Sequence, residues 1–319
     1  MKYFKTIMIM TTFILITMAA CSNPNTANTQ QPLVVTPTIE ITLTPQTPTV
    51  ESNTGKESEA QQDYTKGVEL LQQGNLEESI KLLTRVIELQ PNNIDAYIKR
   101  GVAKDLKGDA EGALQDFNKA IEVSPKDPAA YNARGNHYAN LNSLELALAD
   151  YNKAIELNPT FAQSYVNRAT VYSMTGDYEK AFSDFDKAQE LDSNLMSIYY
   201  NRGLTYGDQQ VFDKATSEFE KYLELNPNDP FAYFYNAGAY AELGNYDNAL
   251  FNINKAIEID NQIDKFYMLR AKIFMQKRLN DNAIADLKKV MDISTDTDLR
   301  TQANDLLQQL GVAVTPQTP

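Results

Sequence analysis

The sequence predicts an all-α fold, a solenoid in which one helical hairpin is stacked on copies of itself over residues 60–297. Three observations carry this. Residues 113–125, ALQDFNKAIEVSP, return 34 residues later at 147–159 as ALADYNKAIELNP. Drifted copies of the phrase begin at Ala181, Ala215, Ala249 and Ala283, and a worn one at Ser79. A fixed period in the thirties marks stacked supersecondary units, each burying its apolar face against the next. Finally, small residues, large rings and a proline recur at fixed places inside the period.

Taken in order, the chain opens with a short export-like segment at residues 1–20. Lys2 and Lys5 precede an apolar run that ends in small residues, the pattern of a charged region, a hydrophobic region and a cleavage zone. The run is shorter than the roughly 20 residues a membrane span needs. Met18-Ala19-Ala20-Cys21 resembles the bacterial lipobox, with Met18 in place of the usual leucine. The resemblance implies that Cys21 is lipidated, carries acyl chains such as palmitate, and becomes the new N-terminus. Stable anchoring takes two or more such chains. The expected location is then the bacterial cell envelope, lipid-anchored and extracytoplasmic; the alternative is plain secretion.

Residues 21–59 combine this cysteine with a stretch rich in Thr, Pro, Gln and Asn and nearly free of aromatic residues. Such a composition buries too little apolar area to offset the entropy of ordering, so it reads as a disordered tether. Fully extended as polyproline II it reaches ~120 Å, and as a flexible coil about 35 Å. TPQTP closes the chain at 315–319 as it occurs at 44–48, so residues 312–319 read as a second spacer.

With the recurrent proline set at repeat position 32, seven units follow without insertion: 60–93, 94–127, 128–161, 162–195, 196–229, 230–263 and 264–297. Position 4 is a ring in six of them, from Tyr97 to Tyr267. Position 8 is Gly or Ala and position 20 is Ser or Ala throughout, which lets two antiparallel helices approach closely while the rings fill the space around them. Position 15 is glycine at Gly74, Gly108, Gly176 and Gly244, suited to a helix C-cap. Position 18 is acidic in every unit, on the first turn of the second helix, where the dipole favours it. After the last unit, Leu299, Ala303, Leu306, Leu307 and Leu310 recur at helical spacing, which predicts a solvating cap helix at 298–311.

In these residues the chain resembles the tetratricopeptide repeat (TPR) family. Its period, small pairs, rings and proline match over 60–297; Tyr stands for the family's frequent Trp, and Ser193 and Asn261 replace the proline. The resemblance implies a right-handed superhelix of seven hairpins whose first helices line a concave groove through positions 2, 5, 6, 9 and 12. Carried over, that groove holds Asn132, Asn136, Asn167, Thr170 and Asn201, then Tyr200, Phe231, Phe234 and Tyr235, then Met268, Lys272 and Met275. Asparagines bond an extended backbone as donors and acceptors alike, and rings offer contact area at low entropy cost; Tyr200 and Tyr235 read equally well as rings packed between repeats. The lysine and arginine cluster by which one TPR subclass grips a C-terminal carboxylate is not matched, apart from Lys99 and Lys265.

One pair covaries inside the chain. Position 7 is Arg in five units, and each time position 23 is an acid: Arg100 with Asp116, Arg134 with Asp150, Arg168 with Asp184, Arg202 with Glu218, and Arg270 with Asp286. Where position 7 is Asn236, position 23 is Asn252. In a hairpin that turns near position 15 the two stand at the same height, which predicts structural pairs; the other reading has the arginines gripping an acidic ligand from the groove. Only one cysteine and one histidine, His137, are present, and the formal charge is −13. That balance disfavours nucleic acid and anionic lipid headgroups as partners. Nothing has nucleophile–base spacing or a metal-ligand cluster, so neither catalysis nor a cofactor or metal is expected, and His137 reads as a packed, hydrogen-bonded residue. The expected function is protein–protein interaction through a peptide-binding groove. The alternative is a structural subunit that self-associates in an envelope assembly; an enzyme is the weakest reading.

Overall fold

A computed structural model describes residues 54–312, which form fifteen α-helices and, among the described residues, no strand. They fall into two units. Residues 54–195 hold α1 (Thr54–Gln72), α2 (Leu76–Leu89), α3 (Ile94–Lys107), α4 (Ala110–Val123), α5 (Pro128–Asn140), α6 (Leu144–Leu157), α7 (Ala162–Met174) and α8 (Tyr178–Leu191). Residues 196–312 hold α9 (Met196–Asp208), α10 (Phe212–Leu225), α11 (Pro230–Glu242), α12 (Tyr246–Ile259), α13 (Asp264–Gln276), α14 (Asn280–Ile293) and α15 (Thr297–Gln309). The export-like segment, Cys21 and the last seven residues lie outside the described residues. No described helix is long and apolar enough to cross a membrane.

Local chemistry sets the helix ends. Asn93, Asp109, Asp127, Asp177, Asp229 and Asn245 cap helix N-termini by accepting from backbone N–H groups, and Pro128 and Pro230 occupy first-turn positions that need no donor. The acid at position 18 falls on the first turn of every second helix. The turn at position 15 takes positive φ in all seven hairpins: glycine in four, and Asn142 (56°), Gln210 (61°) and Arg278 (60°) in the others. The requirement is therefore geometric, and three units meet it with a strained side-chain-bearing residue.

Each hairpin closes on its small residues. A Cβ on Gly135 would lie 2.6 Å from Cε1 of Tyr151, and one on Gly101 would lie 2.7 Å from Cε1 of Phe117. The rings at position 24 thus lie directly over the glycines at position 8. Ser79 Oγ, at position 20, donates to the carbonyl of Gly67 at 2.8 Å, which shows how near the two backbones pass. Around these contacts positions 20, 24 and 27 build a fully buried column, as in Ala113-Phe117-Ala120 and Ala249-Ile253-Ala256.

Two boundaries differ from the sequence reading. The first helix begins at Thr54, inside the stretch read as tether, because Lys56 to Gln62 are helix formers and Ala60 is buried at the foot of the hairpin. Arg85 of α2 reaches Glu59 and Asp63 and ties this extension down. The terminal helix runs Thr297–Gln309, ends before Gly311 at φ 80°, and packs Ala303 and Leu307 on the last hairpin.

Candidate interaction surface

The arginines of position 7 point across their own hairpins. Arg134 donates through Nε and Nη2 to both oxygens of Asp150 at 2.8 Å, Arg168 to Asp184 at 2.7 Å, and Arg270 to Asp286 at 2.8 Å. Arg100 does the same to Asp116 at 2.9 and 2.6 Å, and Lys104 adds a contact to that carboxylate at 2.8 Å. Arg202 lies 3.0 Å from one Glu218 oxygen and donates to the other at 3.1 Å. These are bidentate forks onto largely buried carboxylates, the arrangement for which arginine is suited. The hydrogen bonds that Asp150 and Asp184 accept hold the Arg134 and Arg168 guanidiniums further into their charged range. In the hairpin 230–263, Asn236 Nδ2 donates to Asn252 Oδ1 at 3.2 Å instead.

On the first helices of unit 54–195, the asparagines read as groove contacts bond one another. Asn167 Nδ2 donates to Asn132 Oδ1 at 2.9 Å and to Asn136 Oδ1 at 2.8 Å, while Asn167 Oδ1 accepts from Gln163 Nε2 at 2.8 Å. Ser164 Oγ and Tyr151 OH complete the set on Asn132 and Asn136. Asn132 is 8% exposed and Asn167 2%. This corrects the expectation of open amides: α5 and α7 pack closely enough that the network clasps neighbouring first helices, and its acceptors are consumed within the fold. Thr170 Oγ1 donates to the carbonyl of Val166, and in the second unit Asn201 Nδ2 to that of Ser197, so both side chains turn back on their own helices. Burial pushes the Lys99 ammonium down and, one turn before it, the Asp95 carboxyl up.

Unit 196–312 is different in kind. Tyr200, Phe231, Phe234 and Tyr235, all on first helices, are half-buried and form one run of ring contacts. Tyr200 meets Tyr235 edge-on at 6.1 Å, Tyr235 meets Phe234 at 5.3 Å, and Phe234 and Phe231 both meet buried Phe266, at 5.3 and 5.5 Å. Tyr200 and Tyr235 also pack on Phe219 of α10, so each ring gives one side to the core. Met268 is buried and Met275 half-buried on α13, packed in the cluster of the last hairpin.

The same helix carries Lys272. It is 8% exposed, and its Nζ makes no hydrogen bond among the described residues. Burial pushes its ammonium down to about 8. Oε1 of Glu242, on α11, is likewise buried without a partner, and burial pushes that carboxyl up. Helical spacing alone marks neither as buried; what signals Lys272 is a charge where other units carry Val68, Val102 or Leu204. His137 packs between the rings of Phe117 and Tyr138, with Nδ1 2.7 Å from Oδ1 of Asp105. The carboxylate fixes the ring in place.

Sequence profiles of the tetratricopeptide repeat family match residues 67–104, 106–142, 128–161, 150–182, 197–229, 237–263 and 264–297, well over half of the chain. No curated protein sequence matches significantly. Among solved structures, a tetratricopeptide repeat protein from Parabacteroides merdae is 21% identical over 79% of this chain and 99% of that chain, with a TM-score of 0.55. Pseudomonas aeruginosa pilF is 21% identical over 67% of this chain and 97% of that one, at TM-score 0.58. A thermophilic TPR protein from Thermus thermophilus is 22% identical over 57% and 99%, at TM-score 0.53. At these identities the likeness is one of fold.

Proposed function

Because the chain belongs to the tetratricopeptide repeat family, we propose that it is an interaction scaffold that binds a peptide segment of a protein partner along the first helices of residues 196–312. The observation that carries this is the half-buried ring row Tyr200, Tyr235, Phe234 and Phe231. Rings held on one side by the core and open on the other are rigid anchors, and anchors of that kind dominate binding energy. Lys272, on α13 and with no hydrogen-bond partner for its Nζ among the described residues, supplies a counter-charge for an acidic group of the bound segment; such an ion would recover part of the cost of burying it.

On this reading the scaffold is held outside the cytoplasmic membrane. The support is in the sequence: Lys2, Lys5, the apolar run and Met18-Ala19-Ala20-Cys21, followed by a Thr/Pro-rich stretch long enough to act as a stalk. Intact-mass analysis of the membrane-extracted protein tests it. An acyl mass that disappears in Cys21→Ala is the expected result; an unmodified wild-type cysteine rejects the anchor.

The groove is tested with a displayed peptide library selected on the full-length protein. Selected peptides should bind Phe234→Ala at least tenfold more weakly, a loss of about 1.4 kcal/mol or more, and bind Asn167→Ala with little change if that variant keeps its helix content. Peptides that bind Phe234→Ala and Tyr200→Ala as tightly as wild type would place the contact surface elsewhere.

A further inference from the structure

Three of the five arginines of position 7, Arg134, Arg168 and Arg270, sit in slots of one design. Arg134 lies over the rings of Tyr131 at 5.8 Å and Tyr138 at 5.9 Å, at positions 4 and 11; Arg168 lies over Tyr165 at 5.6 Å and Tyr172 at 5.9 Å. Arg270 lies over Tyr267 at 5.5 Å and Phe274 at 5.8 Å. Nε and Nη2 go to the acid at position 23. Nη1 crosses to position 25 of the preceding hairpin, where Asn118, Asn152 and Asn254 accept at 2.7, 2.6 and 2.7 Å. Two rings, a carboxylate and a third acceptor thus enclose one guanidinium.

Hairpin 230–263 keeps this slot and lacks its occupant. The rings are present as Tyr233 and Tyr240, but position 7 is Asn236, whose amide is too short to reach between them, and position 23 is Asn252. A cleft of 450 Å³ remains, lined by both rings, both asparagines and Glu220. Glu220 stands at position 25 of the preceding hairpin, the place that Asp186 holds before Arg202 and asparagine holds before Arg134, Arg168 and Arg270, so an acid faces this slot while the chain's own cation is gone from it. Asn236 Oδ1, on a residue 1% exposed, accepts no hydrogen bond among the described residues. Glu220 accepts from Tyr240 OH, and Glu224, also lining the cleft, is paired with Lys221 at 2.7 Å. Phe251, at the cleft's edge, is 61% exposed.

We infer that this cleft receives the guanidinium of an arginine side chain from a partner polypeptide, which takes the place that Arg134, Arg168 and Arg270 fill in their own hairpins. The planar group stacks between Tyr233 and Tyr240 and donates to the Glu220 carboxylate and to the orphan oxygen of Asn236. Lysine does not satisfy the site, because a point charge neither stacks between two rings nor spans two acceptors. The site uses positions 4, 7 and 11, not the first-helix positions of the ring row, and it stands whether or not that row binds a peptide.

The test follows the side-chain amide resonances of Asn236 and Asn252 in full-length protein labelled with ¹⁵N at asparagine. The titrants are a blocked Ala-Ala-Arg-Ala-Ala peptide, its lysine counterpart and free L-arginine. The arginine peptide should move both resonances saturably, with a Kd near or below about 1 mM, and the lysine peptide should bind at least tenfold more weakly. Glu220→Gln, a change at an exposed side chain, should weaken the arginine peptide at least tenfold. Asn236→Arg with Asn252→Asp rebuilds the chain's own pair; followed at the side-chain amide of Asn248, which also lines the cleft, it should show no binding, and its urea midpoint should rise. Equal binding of lysine and arginine, an unshifted spectrum, or undiminished binding to Glu220→Gln overturns the guanidinium assignment. Free L-arginine binding as tightly as the peptide overturns the assignment to a polypeptide partner.

Discussion

Lys272→Met should make the protein more stable at neutral pH. Lys272 is 8% exposed and its Nζ has no hydrogen-bond partner among the described residues, and burial lowers its ammonium from the usual 10.5 to about 8. A difference of that size corresponds to about 3 kcal/mol of cost in the folded state while the group is charged. Below pH 8 the lysine is protonated in both folded and unfolded chains, so the whole cost is present. Between about 8 and 10.5 the folded protein releases the proton and the unfolded chain keeps it; the unfolded state binds more protons, and wild-type stability rises with pH. Above that window both states are neutral and the cost is gone. Methionine keeps a linear apolar stem in the buried place of Lys272 without the charge. Urea unfolding by circular dichroism at pH 7, 8, 9 and 10 reads the difference between the two proteins. The variant should lead by about 3 kcal/mol at pH 7 and the lead should shrink as pH rises. A variant that is less stable at pH 7, or a lead that does not change with pH, refutes the reading of Lys272 as a buried, unpaired cation.

Other perturbations test the hairpin itself. Arg168→Ala leaves the Asp184 carboxylate buried without its fork and should cost about 3–5 kcal/mol in urea unfolding, with Arg168→Lys recovering only part. Gly135→Ala forces a methyl to 2.6 Å from the Tyr151 ring; overpacking of about 1–3 kcal/mol outweighs the gain in helix propensity, so the thermal midpoint should fall. Gln210→Gly, by contrast, relieves a side chain held at φ 61° and should raise the midpoint by an amount equivalent to about 1 kcal/mol. Asn167→Ala strips two donors from the amide network between α5 and α7 and should destabilise by about 1–3 kcal/mol.

Much of the hairpin was legible because its determinants are local or repeat. Acids on first turns and the turn at position 15 each act within a few residues of themselves. The Arg–acid pairs were legible for a different reason: the pair recurs in five of the seven units, and where Arg gives way, to Asn236 or to Lys66, the acid gives way too, to Asn252 or to Leu82. The start of the first helix was not legible, since residues 54–59 carry no copy of the repeat and are held by Ala60 and by Arg85 of the following helix.

The candidate site was read less completely. Repeat position placed Asn132, Asn136 and Asn167 on the same face of their first helices, but not whether that face meets solvent or the next helix. Their side chains bridge neighbouring first helices, and that depends on how closely two backbones pass. The ring row kept its place on first helices, while the extent to which Tyr200 and Tyr235 lean on Phe219 emerged only from packing.

The sequence by itself determined the repeating hairpin, its length, its turn and its clasping pairs, because each unit touches only its neighbours and a contact made seven times is written seven times. Only the tertiary structure decided which polar groups are satisfied and which are stranded: the asparagines that bond each other, Lys272 with no hydrogen-bond partner among the described residues, and the slot at Asn236 without its guanidinium. Satisfaction depends on distances between side chains of different helices, and a one-dimensional period carries no such distance.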